Sequence, residues 1–170
     1  IRSEREMHMT PHLREAATDR EWEQATALLQ RVYVAGGYTA AANAGQFMTR
    51  ENLEPAGVLL VALDGEDAVV GAVLLLHPAS ALRQLATMYE REFRVLGVDE
   101  RARGLGIGEV LVQACVDRAF ASGAQAVVLW TQPSMHSAQR LYKRLGFRRA
   151  PERDVKDPRG FTRLVFQRDL

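Results

Sequence analysis

A single α/β domain built on a mixed sheet is the fold this sequence predicts. Two strand-sized apolar runs, "GVLLVAL" (57–63) and "AVVGAVLLL" (68–76), flank "DGED", the pattern of an antiparallel hairpin. Residues 92–98, "EFRVLGV", and 126–131, "AVVLWT", are strands joined through a helical pattern. That makes them parallel neighbours with a right-handed crossover. A further helix and further strands follow, so hairpin and crossover connections share one sheet.

The elements read in order as follows. Residues 12–16, "HLREA", form a short strand. Thr18 stands three residues before Glu21, the capping-box spacing, and Trp22, Ala25, Leu29 and Val32 then recur on one helical face. "AGGYTAAANAGQFM" (35–48) breaks that helix at its glycines and continues as a loop or short helix. After the hairpin, residues 77–90 show no strong period, and Pro78 bars the strand from continuing with its ladder intact. The next helix runs from about residue 105 to Ser122. Its polar stripe, Glu109, Gln113 and Asp117, is narrow, so the pattern predicts a helix covered on more than one side. Pro133 and Ser134 open the following helix, in which Met135, Ala138, Leu141, Tyr142 and Leu145 share a face, and Gly146 caps it. "FRRAPERD" and "GFTRLVFQRDL" supply two last strands around a polar loop.

Composition bounds the function. A chain of 170 residues, 47% hydrophobic and 25% charged, suits one soluble domain with a real core. A net charge of +1 argues against a nucleic-acid coat, and the basic run Arg140, Lys143, Arg144, Arg148 and Arg149 is balanced by Glu152, Asp154 and Asp157. The single Cys115 forms no internal disulfide, and no Cys/His spacing resembles a metal site. No run reaches membrane-span length and no signal peptide opens the chain, so a cytoplasmic location away from the membrane is expected. Residues 1–11 are expected to be a poorly ordered tail and 13–170 the single domain.

The chemistry concentrates at "DERARGLGIG" (99–108). Parallel strands joined by a helix place their C-terminal ends, and the helix N-termini that follow, on one edge of the sheet, where ligands of α/β proteins collect. A helix N-terminus offers unpaired N–H groups and a positive dipole end. Glycines admit a ligand to the backbone, and Arg101 and Arg103 add charge. Together they predict an anion site, most naturally for phosphate or pyrophosphate. A tight strand-to-helix turn would use glycines too, but needs no arginines. A dinucleotide fingerprint fits worse, since five residues separate Val98 from Gly104 and the next strand ends in Trp130 and Thr131 instead of an acid. A P-loop lacks its Lys-Ser/Thr.

What the spacing matches is R-x-x-G-x-G, as Arg103, Gly106 and Gly108, after a strand ending "LGVD". Farther on, "AQRLYKRLGF" (138–147) is similar to A-x-x-L-Y-x-x-x-G-F. On these two motifs the chain resembles the GNAT acetyltransferase superfamily, in element order over roughly residues 13–170. The resemblance implies a mixed, mostly antiparallel twisted sheet with flanking helices, in which the strand like 92–98 carries a bulge and splays from the strand like 126–131 around the cofactor. It implies acetyl-CoA as acyl donor, with no metal, and a direct transfer to a primary amine. By position, Leu96, Gly97 and Val98 would supply backbone contacts to the donor's arm and thioester oxygen. Arg103, Gly104, Leu105, Gly106, Ile107 and Gly108 would hold the pyrophosphate. Tyr142 would protonate the departing thiolate as general acid, about 12 Å along its helix from Ser134. Glu92 would be the general base.

Alternatives stay open on the residues themselves. Tyr142 also reads as a core residue with its hydroxyl at the edge, and Glu92 or its parity mate Glu90 as a solvated charge. Glu92 shares strand parity with Arg94 and Leu96. Met135 stands where many members of the family carry Asn, and His136 or Ser137 could replace that contact. His136 itself reads as a surface or capping residue and His77 as loop. The acceptor pocket is expected from 35–48 and 77–90, neither of which holds a dense acidic cluster; a small amine, an amino-acid derivative and a protein N-terminus all fit. A homodimer is left open. The rival of another class is a regulatory module that senses acetyl-CoA without turning it over.

Overall fold

The structure, a computed structural model, describes residues 10–170. The expected tail, through residue 9, lies outside the described residues. Strands β1 (His12–Glu15), β2 (Gly57–Leu63), β3 (Val69–Leu76), β4 (Glu90–Val98), β5 (Ala126–Thr131), β6 (Arg148–Arg149), β7 (Val155–Lys156) and β8 (Thr162–Asp169) form one sheet. Its order is β1-β2-β3-β4-β5-β8-β6, with β7 also paired to β8. Helices α1 (Asp19–Ala35), α2 (Ala41–Phe47), α3 (Arg50–Leu53), α4 (Ile107–Ala121) and α5 (His136–Arg144) flank it. Every strand pair is antiparallel except β4 with β5.

Apolar burial on both faces explains why β2 and β3 are near-continuous hydrophobic runs. One layer gathers Ile107, Leu111, Cys115, Tyr142 and Phe166 with Phe93 and Leu129 of the sheet on the α4 and α5 side. The other gathers Trp22, Leu28, Leu29 and Leu53 with Leu59, Leu74 and Val95 on the α1 side. Thr18 caps α1 as its spacing predicts: its hydroxyl accepts from the Glu21 amide at 3.1 Å, while Glu21 accepts from the amides of Ala17 and Thr18 at 2.8 and 3.2 Å.

Three details differ from the sequence pattern. Helix α4 starts at Ile107, because the residues before it turn through Gly104 and Gly106 at φ of 78° and 79°. The cover over α4 is incomplete: Val110 and Phe120 are exposed. "FRRAPERD" pairs only at Arg148–Arg149, since Pro151 begins a 3-10 turn that lacks the proline N–H a ladder needs.

Candidate active site

The site begins with a fault in β4. Ala72 of β3 opposes Gly97 and Leu74 opposes Arg94, so Val73 alone faces both Val95 and Leu96. This is a β-bulge, and Val95 sits in it at φ 54°, a conformation a β-branched residue rarely adopts. Its consequence is a switch of faces. Phe93 packs into the α4-side layer, Val95 into the α1-side layer, and Leu96 and Val98 again onto the α4 side. The parity that groups Arg94 with Leu96 therefore fails: Arg94 points to the α1 side, its guanidinium 5.1 Å from the Phe47 ring centroid.

The same bulge bends β4 away from β5. The parallel ladder runs from Glu90–Ala126 through Glu92–Val128 and stops. Beyond it the two strands splay, leaving the backbone of 93–98 without a partner on that edge. A cavity of about 320 Å³ fills the gap, lined by Phe93–Leu96, by Leu129–Gln132, and by Tyr33, Tyr38, Phe47, Met135, Tyr142 and Arg159 among others.

At the open end of the splay, Gly104 and Gly106 hold left-handed conformations with nothing within 4 Å of a built Cβ, so their bare faces look outward. Gly106 N-caps α4 without a side-chain hydrogen bond, which leaves the first-turn amides free for an anion. Arg103 is exposed beside them, as is Leu105, while buried Ile107 pins the loop to the sheet above Gly71. Gly108, in the first turn of α4, also has a packing role: a Cβ there would lie 3.2 Å from Leu141 of α5. Gly97 likewise makes room, for Leu29 of α1 at 3.0 Å. Asp99 braces the loop from behind, accepting from the Arg101 amide at 3.0 Å and pairing with Arg31 of α1 at 3.1 Å.

Tyr142 is buried on α5, with the rings of Phe93, Phe147 and Phe166 each 5.9 Å away, and it lines the cavity. Burial pushes its phenol well above the usual tyrosine range, so it stays protonated. Thr131, 1% exposed and also on the cavity wall, carries a hydroxyl with no hydrogen-bond partner. A buried hydroxyl without a protein partner, facing a cavity, is open to a hydrogen bond with whatever fills that cavity.

Glu92 is not on the cavity wall. Its carboxylate is buried and accepts from the amides of Gln84, Leu85 and Ala86 at 3.1, 2.8 and 3.0 Å, which fastens the 77–90 segment to the sheet. Glu90 pairs with both terminal nitrogens of Arg153 at 2.9 Å. Met135 lines the cavity, whereas His136 and Ser137 are exposed. Segment 35–48 does reach the wall, through Tyr38, Thr39, Asn43, Ala44, Phe47 and Met48, while no residue of 77–90 does.

Sequence reasoning missed Arg94, Trp130, Thr131, Gln132 and Arg159. Only Arg94 carried a signal, as a lone charge between Phe93 and Val95 inside a strand. Gln132 donates to the Tyr38 carbonyl at 2.8 Å and Arg159 to the same oxygen at 3.2 Å, so the α1–α2 connection is clamped over the cavity from two sides.

A bulged strand splayed from its parallel neighbour, beside a glycine-lined helix mouth, can be compared with known proteins. A model of the acetyltransferase (GNAT) family matches residues 14–147. The chain belongs to the GNAT family. A solved GNAT-family acetyltransferase from Staphylococcus aureus superposes with TM-score 0.71 at 18% identity, covering 94% of this chain and 99% of that one. N-acetylaspartate synthetase of Danio rerio is 36% identical over 77 residues, 45% of this chain and 27% of that protein. Mycothiol acetyltransferase of Cellulomonas flavigena is 36% identical over 98 residues, 56% of this chain and 28% of that protein. The chain thus matches little more than a quarter of the length of these two curated relatives.

Proposed function

We propose that this GNAT domain is an acetyl-CoA-dependent N-acetyltransferase that moves an acetyl group directly onto a small primary amine. The observation that carries the reading is the splay itself: a cavity with unpaired strand backbone and a buried phenol on its wall, with the glycine-lined N-terminus of α4 following the same strand. The residues present fit acetyl-CoA, because the bare faces of Gly104 and Gly106 leave room for a pyrophosphate that any Cβ there would crowd.

When bound, acetyl-CoA supplies an activated acetyl thioester. Arg103, Gly104, Leu105, Gly106 and the first-turn amides of α4 hold its pyrophosphate. The open backbone of Leu96 and Val98 lines its arm, and the Thr131 hydroxyl takes a polar group of the ligand as its partner. Backbone N–H near Leu96–Gly97 stabilises the charge that develops on the carbonyl oxygen. Tyr142 gives its hydroxyl proton to the sulfur as the thiolate departs. No carboxylate lines the cavity among the described residues, so water at the cavity mouth receives the amine proton, and Glu92 serves the 84–86 backbone.

The test is release of CoA thiol from acetyl-CoA with an amine panel, for the natural chain and Tyr142→Phe. The variant should lose about 100-fold in kcat, the low end for a general acid, while binding acetyl-CoA with unchanged affinity. A variant with full turnover refutes the acid role. A chain that binds acetyl-CoA but releases no thiol with any amine is the sensor.

A further inference from the structure

The charges around the cavity are one-sided. Arg94 and Arg159 are on its wall, and among the described residues no Asp or Glu is. Arg159 is already matched, its Nε and Nη2 on Asp157 at 2.9 and 3.1 Å, and Arg163 shares that carboxylate at 2.8 Å. Arg94 has no such partner. Among the described residues it joins no ion pair, and its hydrogen bond is from Nη1 to the Leu82 carbonyl at 3.3 Å. The nearest acid along the strand, Glu92, is occupied by three amides.

A guanidinium has a fork of N–H donors matched to a planar oxyanion, and holding one partly buried, as Arg94 is, without a counter-ion is unfavourable. Desolvation depresses the Arg94 pKa, and the charges of Arg159 and Arg163 act in the same direction against the pull of Glu92 and Tyr33. A bare cationic amine entering this cavity meets net repulsion. An amine that brings its own anion does not.

We propose that the acceptor is a small primary amine bearing an oxyanion close to the nitrogen, of the amino-acid type, and that Arg94 binds that oxyanion. The inference rests on the acetyltransferase reading above and specifies its acceptor. The bulge is what makes it work: by turning Arg94 to the α1 side and Leu96 to the other, it separates the acceptor's anchor from the donor's strand edge. The clamp on the Tyr38 carbonyl roofs the cavity, and about 320 Å³ is at the small end for ligand pockets, which suits a small molecule better than a polypeptide terminus.

The test is steady-state thiol release from acetyl-CoA with L-amino acids, the matching amino-acid amides, the matching decarboxylated amines, and aminophosphonic acids. The expected result is a kcat/KM about 100-fold higher for the acids than for their amides, since a site built for an ion rejects its neutral analogue. The larger of the carboxylate and phosphonate values identifies the oxyanion. Arg94→Gln should raise KM for the acids at least about 30-fold and level the acid-to-amide ratio, with acetyl-CoA affinity unchanged, and Arg94→Lys should restore part of the ratio. Thermal unfolding with acetyl-CoA present confirms that each variant is folded and loaded. Preference for amides or simple amines, or an unaltered ratio in Arg94→Gln, overturns the inference and leaves the acetyltransferase reading standing. Absence of thiol release across the panel, from folded chain that binds acetyl-CoA, overturns both.

Discussion

Glu92 and Tyr142 show how one environment assigns two ionisable side chains different work. Both are buried, but Glu92 meets a row of backbone donors and Tyr142 meets three aromatic rings. The Glu92 carboxylate is committed to holding the 84–86 backbone. A phenol in an apolar nest keeps its proton. Glu92→Gln is therefore expected to destabilise the fold by about 1–3 kcal/mol through weakened bonds to 84–86, and to leave kcat within a few-fold. Chemical denaturation and steady-state thiol release on the same protein check this. A loss of about 100-fold in kcat from a folded variant would return the base role to Glu92. Because its pKa is raised, Tyr142 should contribute no alkaline limb below about pH 10.

The loop before α4 and the bulge in β4 decide whether those side chains have anything to act on. Gly106 has open space where a side chain would go, yet its φ of 79° is hostile to any other residue. Gly106→Ala is expected to cost about 1–2 kcal/mol of stability from the left-handed backbone and to weaken acetyl-CoA binding, read together in a ligand titration of the melting temperature. An unchanged acetyl-CoA shift would remove this loop from the donor site. Much of the fold was legible in the sequence because its signals are local: the capping box at Thr18, the apolar period of α1, the hairpin at "DGED" and the ladder-length runs of β2, β3 and β5 each sit within one element. The glycine loop was legible for the same reason. The bulge was expected from the family resemblance alone, and its place at Val95–Leu96 was not legible, since an extra residue in β4 leaves no local mark until β3 is laid beside it. Strand parity carried unbroken through the bulge misassigned Arg94, whereas segment 35–48 was expected at the cavity and does reach its wall. Arg159 and Gln132 were unreadable for a related reason: they act through the Tyr38 carbonyl, far away in sequence and anonymous as backbone.

Across the whole molecule, paired carboxylates and buried neutral groups set opposite ends of the pH range. The Arg159 side chain, with its amide and Arg163, holds Asp157 well below the usual carboxyl range. Arg149 lowers Asp154, and the amides of Ala17 and Thr18 lower Glu21. Their folded pKa values are lower than the ordinary 3.8 and 4.5, so their contribution is intact above those values and fades as pH falls beneath them. Burial pushes Cys115 and Tyr33 up to about 12, so the stability that follows from their neutral forms is present below the ordinary 9.0 and 10.0 and is lost as pH climbs toward 12. Denaturant unfolding across pH should show a plateau between about pH 5 and 8 with a fall on each side, and a maximum near pH 3 or pH 10 would contradict these assignments. At neutral pH the intact sheet holds the splay open. The decisive measurement is a crystal structure with acetyl-CoA bound: the account predicts the pyrophosphate on the amides of 104–108 and the sulfur within hydrogen-bonding reach of the Tyr142 hydroxyl. A pyrophosphate seated elsewhere, or a sulfur out of that hydroxyl's reach, would contradict it.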